Sequence, residues 1–131
     1  MSLARIFTTE EFDDFAQAER LADTTLVKTV ALIEAGLVSA ELGGNLIKQR
    51  VARRGQGKSG GFRTVLVFKD GDRAVFVQGF AKNERSNLTD LEVRALKKIA
   101  KDILALTDSE LDLAVARKAL RRIKRNEQEE N

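Results

Sequence analysis

Glycine and positive charge are concentrated in one short stretch of this sequence, RRGQGKSGGFR at residues 53–63. It contains GQGKSG, which satisfies the G-x-G-x-x-G pattern of dinucleotide-binding loops, and GKS, the end of a phosphate-binding P-loop. Both motifs need a helix directly after the glycines, because the phosphates bind at the helix N-terminus. Here Gly60 and Gly61 lead into a strand pattern, and Ala52 stands where a P-loop has its first glycine. The context therefore opposes a nucleotide-binding enzyme.

The cations continue from this loop onto the strand patterns beside it. Residues 46–53 alternate with a period of two, so that Lys48 and Arg50 share one face of a strand. Arg63 begins the next strand pattern and lies close to both if the two strands pair across the loop. Lysine and arginine beside glycines, with few carboxylates nearby, predict a surface that binds a phosphate backbone. A flexible loop with solvated charges is the alternative, but it does not explain why the cations follow the strands.

Further candidates for this contact flank the first three. The loop adds Arg53, Arg54 and Lys58. The connection FAKNERSNL, at residues 80–88, follows a strand pattern and adds Lys82, Asn83 and Arg85. Functional residues concentrate in such connections at strand ends. An ordinary polar connection, in which Glu84 pairs with a neighbouring cation, is an equally good interpretation.

The composition restricts the chemistry that these residues can perform. The 131 residues include no histidine, cysteine, tyrosine, tryptophan or proline. Disulfides, thiolate nucleophiles and the usual zinc ligands are therefore excluded. Any catalysis must use carboxylates, lysine, arginine, hydroxyls or backbone N–H groups, and we expect neither a cofactor nor a metal site.

Charge is distributed unevenly along the chain, although the formal net charge is only +3. Residues 1–47 carry three basic against eight acidic side chains, whereas residues 48–85 carry ten basic against three acidic. A concentrated cationic segment indicates a polyanionic partner. No apolar run is long enough to span a bilayer and no signal peptide is recognisable, so we expect a cytoplasmic protein without a membrane partner.

Local patterns predict an α+β fold with a small antiparallel sheet of three or four strands and helices packed on one face. The clearest feature is a hairpin, in which residues 62–68 and 73–80 are joined through Asp70-Gly71. A first short strand at residues 4–7 leads into a helix capped by Thr8 or Thr9, and a second helix starts near Asp23.

Two capping boxes, TDLE at residues 89–92 and TDSE at residues 107–110, open the last two predicted helices. The last of these carries the apolar residues Leu113, Ala116, Leu120 and Ile123. The chain then ends in a polar tail, and we see no linker or second domain.

One long pattern in the chain resembles a known family. K-x-R-V-A-R-x-G-x-G-K-S-G-G-[FY]-R, followed by D-R-A-x-F-V-x-G-F-A-K-x-E-R-x-N-L, is similar to the HigB-like branch of the RelE toxin superfamily, as is the N-terminal RIFTTEEFDDFA. The resemblance implies a toxin of a type II toxin–antitoxin pair, with residues 1–106 as the RelE-like domain. Residues 107–131 would add a C-terminal helix and tail to that same domain. The implied partners are mRNA in the ribosomal A site and a cognate antitoxin, a helix-turn-helix protein encoded nearby.

The resemblance also implies a reaction, the metal-independent cleavage of mRNA in which the substrate's 2′-hydroxyl attacks the adjacent phosphate. Clustered cations stabilise the charge that develops on that phosphate, and a lysine close to other cations can have its pKa lowered enough to shuttle a proton. Arg63 corresponds to the arginine that holds the scissile phosphate. The implied catalytic residues are Lys48, Arg50, Arg63, Lys82 and Arg85. The remaining RNA contacts would be Arg53, Arg54, Lys58 and Asn83.

Some positions depart from the family pattern. Many RelE-type toxins have a tyrosine near the position of Thr89, or a histidine near the C-terminus, and Asn83 stands where some relatives have arginine. The general acid and base therefore stay open, and a non-catalytic nucleic-acid-binding module of RelE-like fold is the alternative function. The family would also end in a short strand that closes the sheet, whereas residues 107–131 have a helical pattern.

Overall fold

The computed structural model describes residues 3–53, 57–85 and 87–125. The strands in these residues are β1 Arg5–Thr9, β2 Ala40–Gly43, β3 Leu46–Arg53, β4 Gly57–Lys69, β5 Arg73–Ala81 and β6 Leu120–Ile123. The helices are α1 Glu10–Ala18, α2 Asp23–Glu34, α3 Asp90–Ala105 and α4 Asp108–Ala116. None of the helices in the described residues is long and apolar enough to cross a membrane.

The strands form one six-stranded mixed sheet in the order β2-β3-β4-β5-β1-β6. β1 pairs with β5 in parallel, and the other neighbours are antiparallel. The α+β class is therefore confirmed, but the sheet is larger than the three or four strands expected. The short edge strand β2 was missed, because two of its four residues, AELG, are exposed and the segment gives little apolar signal.

Helices cover both faces of the sheet, and the prediction that they pack on one face was wrong. α1 and α2 pack on the face that includes Ile6 and Phe76. α3 and α4 pack on the opposite face, which includes Phe7 and Val75. The central strands are apolar on both sides, and such strands give continuous apolar runs rather than a clean alternation.

Residues 120–123 form a strand where the local pattern predicts a helix. α4 ends at Ala116, and β6 then pairs antiparallel with β1. Leu120 contributes to the core beneath α3 and α4, whereas Ile123 contributes to the opposite core. Two residues that are three positions apart lie on the same face of a helix. In a strand, the same spacing places their side chains on opposite faces. The helix predicted through Ile123 is thus wrong beyond Ala116, and the short closing strand implied by the resemblance is present.

The predicted caps and the predicted hairpin are confirmed. Thr9 caps α1, and both capping boxes are complete, with Glu92 and Glu110 returning to their N-cap residues. The β4–β5 turn includes Gly71 at φ 71°, in the left-handed region that glycine adopts without strain. These features depend on residues close together in sequence, which is why local patterns predict them.

Two glycines of the central strands are required by packing. A Cβ at Gly61 would lie 2.2 Å from the carbonyl oxygen of Val51 in the neighbouring strand. A Cβ at Gly79 would lie 2.3 Å from the ring of Phe15. Gly61, from the glycine-rich motif, therefore allows β3 and β4 to approach closely beside the cations.

One arginine of the basic central segment has a structural role. Arg73 is buried, and its guanidinium donates hydrogen bonds to the carbonyl oxygens of Ile103 at 2.8 Å and Leu106 at 2.7 Å. It thereby satisfies carbonyls at the C-terminal end of α3 and fixes that helix to the start of β5. Not every cation in the central segment is available to a partner.

Candidate RNA-binding and catalytic site

Three cations lie together on the face of the sheet that α3 covers in part. Arg50 and Arg63 are directly opposite each other in the β3–β4 pair. Directly opposite side chains project from the same face, with Cβ atoms about 4.5–5.5 Å apart. Lys48, two residues before Arg50 on β3, shares this face. We call Lys48, Arg50 and Arg63 the strand patch.

An aromatic ring borders the strand patch on the side where β5 pairs with β4. Phe80 of β5 is directly opposite Arg63, so the sheet carries Arg50, Arg63 and Phe80 in one row. Lys48 lies in the next row, which contains Val65 and Gln78. The first row lies further from α3, and the second lies beside the connection that leads into that helix.

Arg63 has no carboxylate partner among the described residues. Only 8% of the residue is exposed, and its guanidinium donates one long hydrogen bond of 3.4 Å to the carbonyl of Phe62. Burial, together with the nearby charge of Arg50, lowers the pKa of Arg63. Like charges directly opposite in a sheet are destabilising. A contribution to stability therefore does not explain why two arginines are opposed here. The pair is suited to bind an anion that lies between or above the two guanidinium groups.

Lys48 is held by a residue that the sequence did not single out. Its ammonium Nζ donates to Asn87 Oδ1 at 2.8 Å, and the same oxygen accepts the backbone N–H of Leu88 at 2.9 Å. Asn87 lies just before α3 and is 39 residues from Lys48 in sequence. No local pattern links two residues at this separation, so only the tertiary structure reveals the contact.

Arg85 lies beside the row of Arg50, Arg63 and Phe80 and forms an ion pair. Its Nη2 donates to Glu92 Oε1 at 2.7 Å, and its guanidinium carbon lies 4.9 Å from the centre of the Phe80 ring. The Nε of Arg85 is buried and makes no hydrogen bond within the described residues. The partner of Arg85 is therefore Glu92 of α3, which the sequence indicated only as a helix cap, and not Glu84.

Glu92 serves two neighbours at once. Besides Arg85, its Oε1 accepts the backbone N–H of Thr89 at 2.8 Å, as the capping box requires. The hydrogen bond from Arg85, followed by that from Thr89, lowers the pKa of Glu92 to about 2. The Thr89 hydroxyl accepts the backbone N–H of Glu92 at 3.1 Å and is thus engaged in capping.

The remaining candidates lie at the end of the sheet or outside the described residues. Lys82 and Asn83 are exposed in the turn after β5, and the backbone N–H of Lys82 bonds to Gly61 at 3.1 Å. Arg54 lies outside the described residues, and so do the side chains of Arg53 and Lys58. The structure thus brings together Lys48, Arg50, Arg63 and Arg85.

The geometry fits the binding of one phosphate group. The strand patch presents one ammonium and two guanidinium groups, the donors that bind phosphate oxygens most strongly. Within residues 3–53, 57–85 and 87–125, no group of three or more acidic side chains is arranged to hold a metal ion. The chemistry that these side chains offer is electrostatic stabilisation of an anion.

Comparison with known proteins identifies the family. No curated protein matches the chain at a significant level. The family model described as the RelE toxin of the RelE/RelB toxin–antitoxin system matches residues 4–123, a span that runs from the start of β1 to the end of β6. This chain belongs to the RelE toxin family.

Proposed function

We propose that this chain is the toxin of a type II toxin–antitoxin system, of the HigB-like branch, and that it cleaves mRNA in the ribosomal A site. Membership of the RelE family implies an antitoxin partner, and toxins of this family are generally endoribonucleases. The observation that carries the proposal is the opposed pair of Arg50 and Arg63, which has no carboxylate to neutralise it in the described chain. A scissile phosphate supplies the missing negative charge.

The proposed reaction is independent of metal ions. The 2′-oxygen of the RNA attacks the adjacent phosphorus, a 2′-O–P bond forms, and the P–O5′ bond breaks. The products are a 2′,3′-cyclic phosphate and a 5′-hydroxyl. Arg63 and Arg50 stabilise the extra negative charge of the five-coordinate phosphorane, which is greater than that of the bound substrate.

We assign to Lys48 a proton shuttle, in which its neutral amine accepts the proton of the 2′-hydroxyl and the resulting ammonium donates a proton to the departing 5′-oxygen. Among the three cations of the strand patch, the lysine ammonium is the group suited to exchange a proton, because guanidinium groups stay protonated. The side-chain oxygen of Asn87 accepts a hydrogen bond from one N–H group of the Lys48 ammonium and leaves the other N–H groups for the substrate. Arg85, held by Glu92 beside Phe80, and Lys82, in the turn after β5, stay proposed catalytic residues. Asn83, Arg53, Arg54 and Lys58 stay proposed RNA contacts.

The proposal is tested by tightly controlled expression, with the 5′ ends of mRNA mapped before and after induction. Wild-type protein should arrest growth and create new 5′ ends within translated codons. Arg63→Ala should abolish both effects, whereas Lys28→Ala, a change at an exposed cation of α2 on the opposite face, should leave them unchanged. Intact transcripts with folded wild-type protein would contradict the proposal, and full toxicity of Arg63→Ala would contradict the role of Arg63.

A second candidate is a non-catalytic RNA-binding module. The observation that favours it is the absence of histidine and tyrosine, which leaves no usual acid or base beside the strand patch. It predicts RNA binding that weakens steeply with salt, without cleavage even on translating ribosomes. Incubation of one labelled mRNA with and without ribosomes separates the two functions.

A further inference from the structure

A second group of cations covers the outer side of α3. They recur with the spacing i, i+3, i+4 and i+7, which places them in one stripe along a helix. All are exposed. The residues are Arg94, Lys97, Lys98 and Lys101. We call them the α3 stripe.

The α3 stripe is not explained by helix stability. None of its members forms an ion pair with the described residues, and like charges at i, i+3 and i, i+4 destabilise a helix. Cations stabilise a helix when they lie in its last turn, but the last turn of α3 contains none. Of the carboxylates of α3, Asp90 and Glu92 lie in its first turn and Asp102 lies near its end, and none of them forms an ion pair with the stripe in the described part of the chain.

The α3 stripe continues the strand patch. Lys97 reaches the β2–β3 turn, where a Cβ on Gly43 would lie 3.4 Å from its Nζ, and Gly43 pairs with Leu46 at the start of β3. Lys48 and Arg50 follow Leu46 on the same face. At roughly 3.4 Å per residue, each step of two residues along this strand advances about 7 Å. Lys97 of the α3 stripe therefore lies near the start of β3, and Lys48 and Arg50 follow on the same face of that strand at intervals of about 7 Å.

We propose that the α3 stripe is a second RNA-contact surface, which binds the backbone of a long RNA as it continues beyond the phosphate at the strand patch. This inference rests on the proposed function and extends it, since it makes the substrate an extended RNA rather than a short oligonucleotide. The strand patch selects the phosphate that reacts. The α3 stripe adds affinity that does not depend on sequence, because phosphate contacts carry no base information.

RNA length separates the two surfaces in a binding experiment. The first probe is a trinucleotide, which occupies the strand patch alone. The second is a single-stranded RNA of about 16 nucleotides, the largest number that a single OB-fold domain binds. Both carry 2′-O-methyl groups, so that the 2′-oxygen cannot attack and binding is measured without cleavage. The dissociation constant of each is measured over a series of salt concentrations.

The variant Lys98→Gln/Lys101→Gln removes two members of the stripe and keeps good helix formers. For the long RNA, the slope of log affinity against log salt should fall in magnitude by about 1.4, since each lost contact to a single strand contributes about 0.7. Binding of the trinucleotide should not change. Lys28→Gln/Arg117→Gln, which removes two exposed cations elsewhere, should match wild type with both probes.

An unchanged salt slope for the long RNA would overturn the inference, and so would an equal effect of the control variant. Unchanged RNA binding combined with weaker binding of polyglutamate would overturn it in favour of an acidic protein partner. Arg94→Gln/Lys97→Gln provides an independent pair and should reproduce the effect of the first. Because the probes cannot be cleaved, the outcome is readable even if the protein proves not to be a ribonuclease.

Discussion

At the scale of single residues, the most informative side chain is Arg63, which is nearly buried and directly opposite Arg50. Neither burial nor a like-charged neighbour stabilises a guanidinium, and both lower its pKa. A residue of this kind is maintained at a cost in folding stability. Stability and activity should therefore respond in opposite directions when Arg63 is changed.

Replacement of Arg63 by methionine keeps an apolar stem and removes the charge. Arg63→Met should raise the free energy of unfolding by up to about 1 kcal/mol, the size of a cross-strand pair interaction. Cleavage should fall about 100- to 1000-fold, as it does when one donor to a developing oxyanion is lost. Urea unfolding and ribosome-dependent cleavage measure the two effects, and a loss of stability together with activity would show that Arg63 is structural.

Asn87 provides a test of whether Lys48 must be held in place. Asn87→Ala removes the acceptor for the Lys48 ammonium, and a hydrogen bond to a charged group is worth about 1.5–3 kcal/mol. We expect the rate of cleavage at saturating substrate to fall at least about tenfold, with a smaller change in KM. Gln17→Ala, which removes an exposed amide of α1 on the opposite face of the sheet, is the control. Wild-type cleavage by Asn87→Ala, with loss of cleavage by Lys48→Ala, would exclude the positioning role.

The residues of the strand patch could be predicted from the sequence, whereas their partners could not. Lys48 and Arg50 share a face because a strand alternates with period two, and Arg63 follows because a hairpin pairs its two strands locally. Asn87 reaches the site from the connection before α3, and Glu92 reaches it from α3 itself. Their contacts depend on how that helix lies across the sheet, which no short-range pattern contains.

At the scale of elements, the first turn of α3 joins helix capping to the site. Glu92 closes the capping box with Thr89 and also binds Arg85. Arg85 in turn lies against Phe80, in the row that contains Arg63. The start of the helix and the edge of the site are thus stabilised by the same carboxylate.

The low pKa of Glu92 predicts a pH dependence of stability. A carboxyl group whose pKa falls from 4.5 to about 2 on folding stabilises the protein above pH 4.5 and loses this effect as the pH falls towards 2. Glu92→Gln keeps a capping side chain but lacks the charge. Its deficit in stability relative to wild type should be constant above pH 5 and should shrink as the pH falls below about 4.5.

Urea midpoints at neutral pH and near pH 3 measure this difference. The matched control is Glu110→Gln in the capping box of α4, where hydrogen bonds with Thr107 lower the pKa and no arginine of the described residues is bound, so that its deficit should depend less on pH. A deficit of Glu92→Gln that does not depend on pH would show that Arg85 does not hold the carboxylate charged.

The elements themselves differ in how far local sequence determines them. The capped helices and the β4–β5 hairpin are defined by residues within a few positions of each other. β2 and β6 exist because a neighbouring strand offers a free edge, and β6 competes with a good helical pattern. Its side chains satisfy both cores only as a strand, and this is visible only once the two faces of the sheet are known.

At the scale of the whole molecule, Arg121 joins β6, the last of the strands, to the first two helices. It makes paired hydrogen bonds to Asp13 of α1 and to Asp23 of α2, at 2.9–3.1 Å. These contacts raise the pKa of Arg121 and lower that of Asp23. They lie on the opposite face of the sheet from the strand patch, so stability can be changed there without touching the proposed chemistry.

Arg121→Ala should lower the free energy of unfolding by about 1 kcal/mol, the upper range for a partly exposed ion pair, and leave the rate of cleavage unchanged at temperatures where the protein is folded. Arg117→Ala, an exposed arginine just before β6, should change neither quantity. Thermal unfolding and cleavage by the same preparations provide the comparison. Cleavage that falls while the fold is retained would place β6 in the functional site.

The parallel pairing of β1 with β5 determines when the sheet can be completed during synthesis of the protein. The hairpins that contain Lys48, Arg50 and Arg63 join strands adjacent in sequence, and they can form as soon as those residues have been synthesised. β1, although synthesised before the other strands of the sheet, must wait for β5 on one side and for β6 on the other. The sheet is therefore completed only after β6, the last of its strands in sequence, has left the ribosome that produces it.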